Sequence, residues 1–358
     1  MKIDFIISTI RGGGAERVMS ILVNKFCQEG HQVRLITFKD GEDAYPIDPQ
    51  VQRLHFNKKV LPNAKINALF HLVRLYRKKA DRPDAAISFL TLMNLVAILA
   101  CRLFRIPVVV SEHNNHLQLE APAWLTKLAW KKVYRKANAV TVLTSYDIPF
   151  FRELGCQVAV MPNPCTFVPA VEYHAQRKQD IVAVGNLNRY HHKGFDNLLE
   201  IAGPVLRERP DWRLRIIGDG AEGKHFLSQR VNDLGLESQV SFPGFRSDIQ
   251  PILLESAIFI LPSRFEGLPM VLLEALSQGT ACIAYDCITG PSDMIEHRQN
   301  GLLVPDQDIK AMQQELAALM DNRELRETLG RNGISSLDRY STDAIYSQWM
   351  GLLAKATQ

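Results

Sequence analysis

Short apolar runs recur along the chain at strand length, with helical patterns between most of them. The runs cover residues 2–8, 32–37, 51–55, 85–88, 107–111, 139–143 and 157–161. They resume at 180–185, 213–218, 239–242, 257–261, 280–285 and 302–304. Parallel neighbours need a crossover between them, usually a helix. The alternation therefore predicts an α/β fold of doubly wound parallel sheets. A length of 358 residues predicts about two domains. Pro162, Pro164 and Pro169 interrupt the pattern, so residues 163–179 read as a linker. Residues 1–162 then form one domain and 180–340 a second of similar build. A last helix follows within 341–358, with Ile345, Trp349, Leu352 and Leu353 on the side that should meet a core.

Composition sets the chemical setting. Hydrophobic residues make up 46% of the chain and charged ones 22%, enough for two cores in a water-soluble protein. The six cysteines form no C-x-x-C pair, which fits structural thiols in a reducing cytoplasm. Asp4 interrupts the first apolar run, which reads as a strand and not a signal peptide. No apolar run reaches membrane-spanning length. The net charge of +4 divides unevenly, with +10 in residues 1–177 and −6 in the remainder. The basic half suits an acidic partner: an anionic membrane, a phosphorylated acceptor or nucleic acid. Two basic amphipathic helices lie there, over 65–80 and 123–137. The first places Ile66, Leu69, Phe70, Val73 and Tyr76 at helical spacing, and the second Trp124, Leu125, Leu128 and Val133. Helices of this kind suit a membrane surface.

The strongest motif is Ser263-Arg264-Phe265-Glu266-Gly267-Leu268-Pro269-Met270-Val271-Leu272-Leu273-Glu274. It follows the buried run 257–261 and opens a helix over 268–278 that Gly279 can end. Pro269 suits the first turn, where its missing N–H costs nothing. The free amides of Gly267, Leu268 and Met270 then form an anion site at the positive end of the helix. Glu266 and Glu274 flank that site as acceptors for hydroxyl groups. A sugar nucleotide has this layout, with hydroxyls on either side of a diphosphate.

The segment resembles the Glu-x7-Glu motif of retaining glycosyltransferases of the GT-B fold, family 4, including those of bacterial surface polysaccharides and lipid-linked oligosaccharides. The resemblance implies two Rossmann-like domains facing a central cleft, with a terminal helix returning to the first. It implies that Glu266 contacts the donor hexose and Glu274 the ribose. It further implies a UDP-sugar donor carrying a hexose or N-acetylhexosamine. The acceptor would be a glycan, typically one carried on a polyprenyl diphosphate. The site would be cytoplasmic, on the inner face of the membrane, with no nucleic acid as partner.

The remaining candidates are weighed beside that resemblance. Gly12-Gly13-Gly14 follows the first strand, and glycine lets a ligand approach the backbone. Arg17 stands where a dinucleotide fingerprint needs its third glycine, and no acid lies about twenty residues on, so NAD is not expected. The family places this loop near the donor diphosphate and the acceptor, which makes Gly13 and Gly14 donor-binding candidates. His113 lies just past the carboxyl end of the run 107–111, where ligands of open α/β sheets bind. The resemblance makes it a border of the reacting sugar, and Glu112 is a weaker candidate. Arg189 and Lys193, in the loop after 180–185, supply fixed cations for a departing diphosphate. The family pattern G-R-x-x-x-K-G is kept except that Asn188 precedes the arginine. His191 and His192 read as exposed loop residues. Gly218 ends another run. Gly244 and Arg246 mark the turn where the family seats the nucleotide base. Asp306-Gln307-Asp308 matches the D-x-D of metal-dependent transferases, but Asp308 reads as a helix N-cap. The expectation is therefore catalysis without a metal or other cofactor. Two further readings remain: a UDP-sugar epimerase of the same fold, and a non-catalytic membrane-associated sugar-nucleotide-binding protein.

Overall fold

The computed structural model describes residues 1–118 and 122–358. The chain forms two compact units, one of Met1–Pro164 with Tyr340–Gln358, the other of Cys165–Arg339. The first holds a seven-stranded sheet in the order β3-β2-β1-β4-β5-β6-β7. Its strands are β1 (Lys2–Ile6), β2 (Gln32–Thr37), β3 (Gln52–His55), β4 (Ala85–Phe89), β5 (Val108–Ser111), β6 (Ala139–Val142) and β7 (Val158–Val160). The second holds six in the order β10-β9-β8-β11-β12-β13. These are β8 (Lys178–Val184), β9 (Arg213–Ile217), β10 (Val240–Gly244), β11 (Ser256–Leu261), β12 (Ala281–Asp286) and β13 (Leu302–Pro305). All pairings are parallel. The central strands are buried on both faces, which is why they read as unbroken apolar runs.

Both sheets reverse their strand order beside the first strand, between β1 and β4 and between β8 and β11. The connections on either side of such a reversal leave toward opposite faces, so a crevice opens beyond the carboxyl ends of the two strands. In the second unit this places the loops after β8 and β11 side by side.

Several local expectations change. The segment expected as a linker packs onto the second unit from Cys165 onward: Ala170 N donates to Ser277 O at 2.8 Å, and Gln278 Nε2 donates to Val168 O at 3.1 Å. Arg177 fixes its end by donating to Ser256 O at 2.9 Å and Gln278 O at 2.6 Å. The helix expected over 123–137 is three pieces, with a π-helical turn Ala129–Val133 between Ala123–Leu128 and Tyr134–Lys136. That shift of phase buries Trp130 and Tyr134 while Trp124 and Leu128 face solvent. The first basic helix ends at Arg77. The terminal helix, Thr342–Ala356, lies in the first unit and buries Ile345, Trp349 and Leu353. Its Tyr346 ring meets Phe26 edge-on at 4.9 Å, and its hydroxyl lies 2.9 Å from His31 Nε2.

Asp4, the charge inside the first apolar run, is fully buried in β1. Arg34 on β2 forms a two-pronged pair with it at 2.6 Å on each arm, and the buried Tyr76 hydroxyl donates at 2.8 Å. Breaking a buried pair from one side leaves an uncompensated charge and costs about 3–5 kcal/mol. Asp4→Ala should therefore lower the urea stability of the first unit by that order. Asp4→Ala with Arg34→Met should recover much of the loss; equal losses in both variants would assign the effect to packing alone.

Candidate functional site

The loop after β8 is built to cross the end of β11. Leu187–Arg189 makes a tight turn, Tyr190–Lys193 a single helical turn, and Gly194 leads into the helix Phe195–Arg207. Gly194 has φ +68°, and a Cβ there would lie 1.8 Å from the carbonyl oxygen of Pro262. Only glycine permits that approach. The crossing brings Lys193 Nζ to 2.7 Å from Glu266 Oε1. Ser263 Oγ donates to the same oxygen at 2.7 Å. The Lys193 and Glu266 side chains are only 19% and 8% exposed, so water screens the pair little.

The turn that carries Glu266 is braced on both sides. Arg264 N donates to His192 O at 3.0 Å, and its guanidinium reaches Asp196 Oδ1 at 2.7 Å and Asn197 Oδ1 at 2.6 Å. From the other side Thr289 Oγ1 donates to Glu266 O, and Gly290 lies against Gly267 O and Pro269. The following helix is Met270–Ser277, shorter than expected, and Pro269 is its N-cap residue, one place outside the first turn. A proline side chain offers no cap, and none is present. Among the described residues, no acceptor takes the N–H of Gly267, Leu268 or Met270. Orphan donors at a helix start bind anions. Glu274, one turn into this helix, is 2% exposed and accepts from Thr166 Oγ1.

Arg189 is exposed and donates to His192 Nε2 at 2.9 Å. His192 is half-buried, and its ring centroid lies 5.6 Å from that of Phe265. Burial first, then the charges of Arg189 and Lys193, push its pKa down to about 4. The imidazole is therefore neutral at pH 7 and can accept from the arginine. His192 was expected to be an exposed loop residue; it is instead a support for Arg189. Asn188, the departure from the family pattern, also has a local reason. Its Oδ1 accepts from Gly223 N at 3.0 Å, tying this loop to the helix Ala221–Asp233.

The neighbouring strand ends complete the surface of the second unit. Gly218 has φ +155°, and a Cβ there would lie 1.8 Å from Gly185 O, so strand packing alone requires glycine. Gly244, with φ +82°, ends β10 in open space. Phe245 beside it is 72% exposed, and Arg246 is exposed. Sequence reasoning passed over Phe245, although an aromatic side chain directly after a strand-ending Pro-Gly was the available signal. Asp308 caps the helix Ile309–Asp321 by accepting from Ala311 N at 3.0 Å. Asp306 accepts from Gln307 Nε2 at 3.0 Å.

Gly13, Gly14 and His113 lie in the first unit. Gly13 precedes the helix Gly14–Gln28, with Tyr45 Oη 3.3 Å from its amide. The Glu16 carboxylate lies over Gly13, and burial raises its pKa. His113 lies tilted against Phe89 with ring centroids 4.1 Å apart, and both ring nitrogens are shielded and, among the described residues, without a hydrogen-bond partner. Burial pushes its pKa down to about 3, so the ring is neutral at pH 7. Glu112 is 3% exposed and engaged by Thr91 Oγ1 at 2.7 Å, Asn94 Nδ2 at 3.2 Å and the Tyr134 hydroxyl. Those bonds commit it to the core and remove it from the candidates. The structure thus gathers Arg189, Lys193, Glu266 and the 267–270 turn at one switch point, with Glu274 one turn deeper.

Residues 12–166 match the family model Glycosyltransferase Family 4, and residues 168–336 match Glycosyl transferases group 1. The chain is 27% identical over 367 residues to GalNAc-alpha-(1->4)-GalNAc-alpha-(1->3)-diNAcBac-PP-undecaprenol alpha-1,4-N-acetyl-D-galactosaminyltransferase of Campylobacter jejuni, covering 99% of both chains. It is 26% identical over 320 residues to lipopolysaccharide 1,6-galactosyltransferase of Salmonella typhimurium, covering 85% of each. Among solved structures, Staphylococcus aureus TarM in complex with fondaparinux, alpha-GlcNAc-glycerol and UDP superposes with a TM-score of 0.80 at 16% identity, over 99% of this chain and 100% of that one. Anabaena HepE in complex with UDP gives 0.81 at 18% identity, over 99% and 100%. With both halves matched by glycosyltransferase models and the whole backbone following such enzymes, the chain belongs to the GT-B glycosyltransferases of the family-4 type.

Proposed function

We propose that the chain transfers a hexose or N-acetylhexosamine from a UDP-sugar, with retention, to a glycan on a lipid carrier. The observation that carries this reading is the Lys193–Glu266 pair set beside an uncapped helix start. Departure of a nucleoside diphosphate builds negative charge on its outer phosphate. Arg189, Lys193 and the amides of Gly267, Leu268 and Met270 would neutralise that charge from fixed positions, without a divalent ion. Glu266 would accept hydrogen bonds from the hexose and Glu274 from the ribose. The base would rest near Gly244 and Arg246, where the exposed Phe245 offers a stacking face. Gly218 shapes the same rim. In the first unit, His113 would stay neutral at the carboxyl end of β5, and Gly13 and Gly14 would keep the turn after β1 open to a ligand. The departing phosphate would take the acceptor's proton as the new bond forms on the same face. Support for uridine comes from HepE and TarM, both solved with UDP, and support for a lipid carrier from the PP-undecaprenol substrate of the Campylobacter relative.

The first unit would work against an anionic membrane. Its helices Ala64–Arg77, Thr91–Leu103 and Ala123–Leu128, with the two turns after the last, contain no Asp or Glu. They carry Lys65, Arg74, Arg77, Arg102, Lys127, Lys131, Lys132, Arg135 and Lys136. Ile66, Phe70, Leu103, Trp124 and Leu128 are exposed on them. A basic face with protruding apolar side chains suits anionic lipid. Among the described residues no helix is long and apolar enough to cross a membrane.

Two experiments test these statements. Glu266→Ala should abolish transfer, read as acceptor-dependent UDP release with EDTA present, while UDP affinity stays within about threefold of wild type. Glu274→Ala should weaken UDP by about tenfold, the value of one charge-assisted hydrogen bond. Equal UDP affinities in the two variants would contradict the division of roles. Vesicles of phosphatidylglycerol should sediment the protein at low salt and those of phosphatidylcholine should not, with Trp124→Ala and Leu128→Ala together weakening the binding. Equal sedimentation with both lipids would remove the membrane from the account.

A further inference from the structure

The first sheet has its own switch point, and a cavity of about 460 Å³ lies there. It is lined by Ser8 after β1, Phe38 and Lys39 after β2, Leu61 after β3, and Leu90 and Met93 after β4. That volume is in the range of ligand sites, roughly 300–1,000 Å³. The wall is mostly apolar, yet Lys39, Lys59 and Lys65 also line it, and among the described residues none of the three is in an ion pair.

Two features mark the cavity as a built site. Leu90 has φ +75°, a conformation that is strained for a non-glycine residue and persists only where its surroundings impose it. It is the residue before the helix Thr91–Leu103, whose first turn supplies Leu92 and Met93 to the cavity wall. The loop bearing Lys59 is pinned to the next helix. Asn67 Oδ1 accepts from Val60 N at 2.9 Å and Leu61 N at 3.0 Å, Asn67 Nδ2 donates to Lys58 O at 3.2 Å, and His71 Nε2 lies 3.0 Å from that same oxygen. The lysines are therefore presented on an ordered rim.

An apolar pocket rimmed by three ammonium groups, with Glu16 the carboxylate that feels Lys39, fits an anionic amphiphile. We infer that this cavity takes the diphosphate and first isoprene units of a polyprenyl-diphosphate acceptor, with Lys39, Lys59 and Lys65 around the phosphates and Phe38, Leu61 and Met93 against the prenyl chain. The inference rests on the lipid-carrier reading above and locates the carrier on this chain. The cavity's lining residues all belong to the first unit, whereas Arg189, Lys193, Glu266 and Glu274 belong to the second.

The intact chain can be titrated calorimetrically with farnesyl diphosphate, inorganic pyrophosphate and farnesol, with UDP run alongside. Farnesyl diphosphate should bind about tenfold more tightly than either pyrophosphate or farnesol, and saturating UDP should leave it in place. Lys59→Ala with Lys65→Ala should weaken it by about tenfold and leave UDP affinity unchanged. Leu61→Ala should weaken farnesyl diphosphate and spare pyrophosphate. Failure of farnesyl diphosphate to bind, its displacement by UDP, or wild-type affinity in the lysine variant would overturn the assignment. Failure of UDP to bind the wild-type chain would instead sink the donor-site reading and leave this one standing.

Discussion

The cation–carboxylate contact of Lys193 Nζ with Glu266 Oε1 at 2.7 Å lies where the two loops on which the proposed chemistry rests meet. The loops are far apart in sequence, and only the strand order of the second sheet makes them neighbours. A parallel sheet that reverses direction beside its first strand has to open a crevice there. The chain then sharpens that crevice with short-range devices. Gly194 allows a backbone crossing that any side chain would block, Arg264 ties the loop after β8 to the turn after β11, and Thr289 holds the Glu266 carbonyl from behind. Each contact is modest alone. Together they leave the Glu266 turn little freedom, which a site that must stabilise a brief charge build-up requires.

The charges are arranged with the same economy. Arg189 is exposed but anchored through a neutral His192. A neutral imidazole supports the guanidinium without competing for the anion it would meet. In the first unit, buried charge is handled by pairing: Asp4 is locked to Arg34, and Glu112 is enclosed by hydroxyl and amide donors. Those groups belong to the core. Lys39, Lys59 and Lys65 differ, since among the described residues they stand around an apolar cavity outside any ion pair.

Much of this was legible in the sequence, for reasons that can be named. Central strands buried on both faces leave unbroken apolar runs, and the edge strands, among them the largely exposed β3, were placed from the spacing between them. The Glu266–Glu274 motif was legible because its parts lie within one strand–turn–helix unit. What escaped detection depends on long separations or on phase. Nothing local says that Thr166 will bond Glu274, that Asp4 will find Arg34, or that Glu112 will be absorbed by Thr91, Asn94 and Tyr134. The π-helical turn at Ala129–Val133 was invisible to a regular helical period, because it is a departure from that period. The segment 163–179 misled by composition: its prolines suggested a free linker, while its backbone bonds to Ser277 and its Arg177 to Gln278.

The central claim is that fixed protein cations and backbone amides, gathered by strand order, hold the leaving diphosphate. A crystal structure of the UDP complex, grown with a chelator, tests it most directly. The account predicts the outer phosphate within hydrogen-bond reach of Arg189, Lys193 and the amides of the 267–270 turn, with the ribose at Glu274. A phosphate lodged elsewhere, or a complex that forms only after a divalent ion is restored, would contradict it.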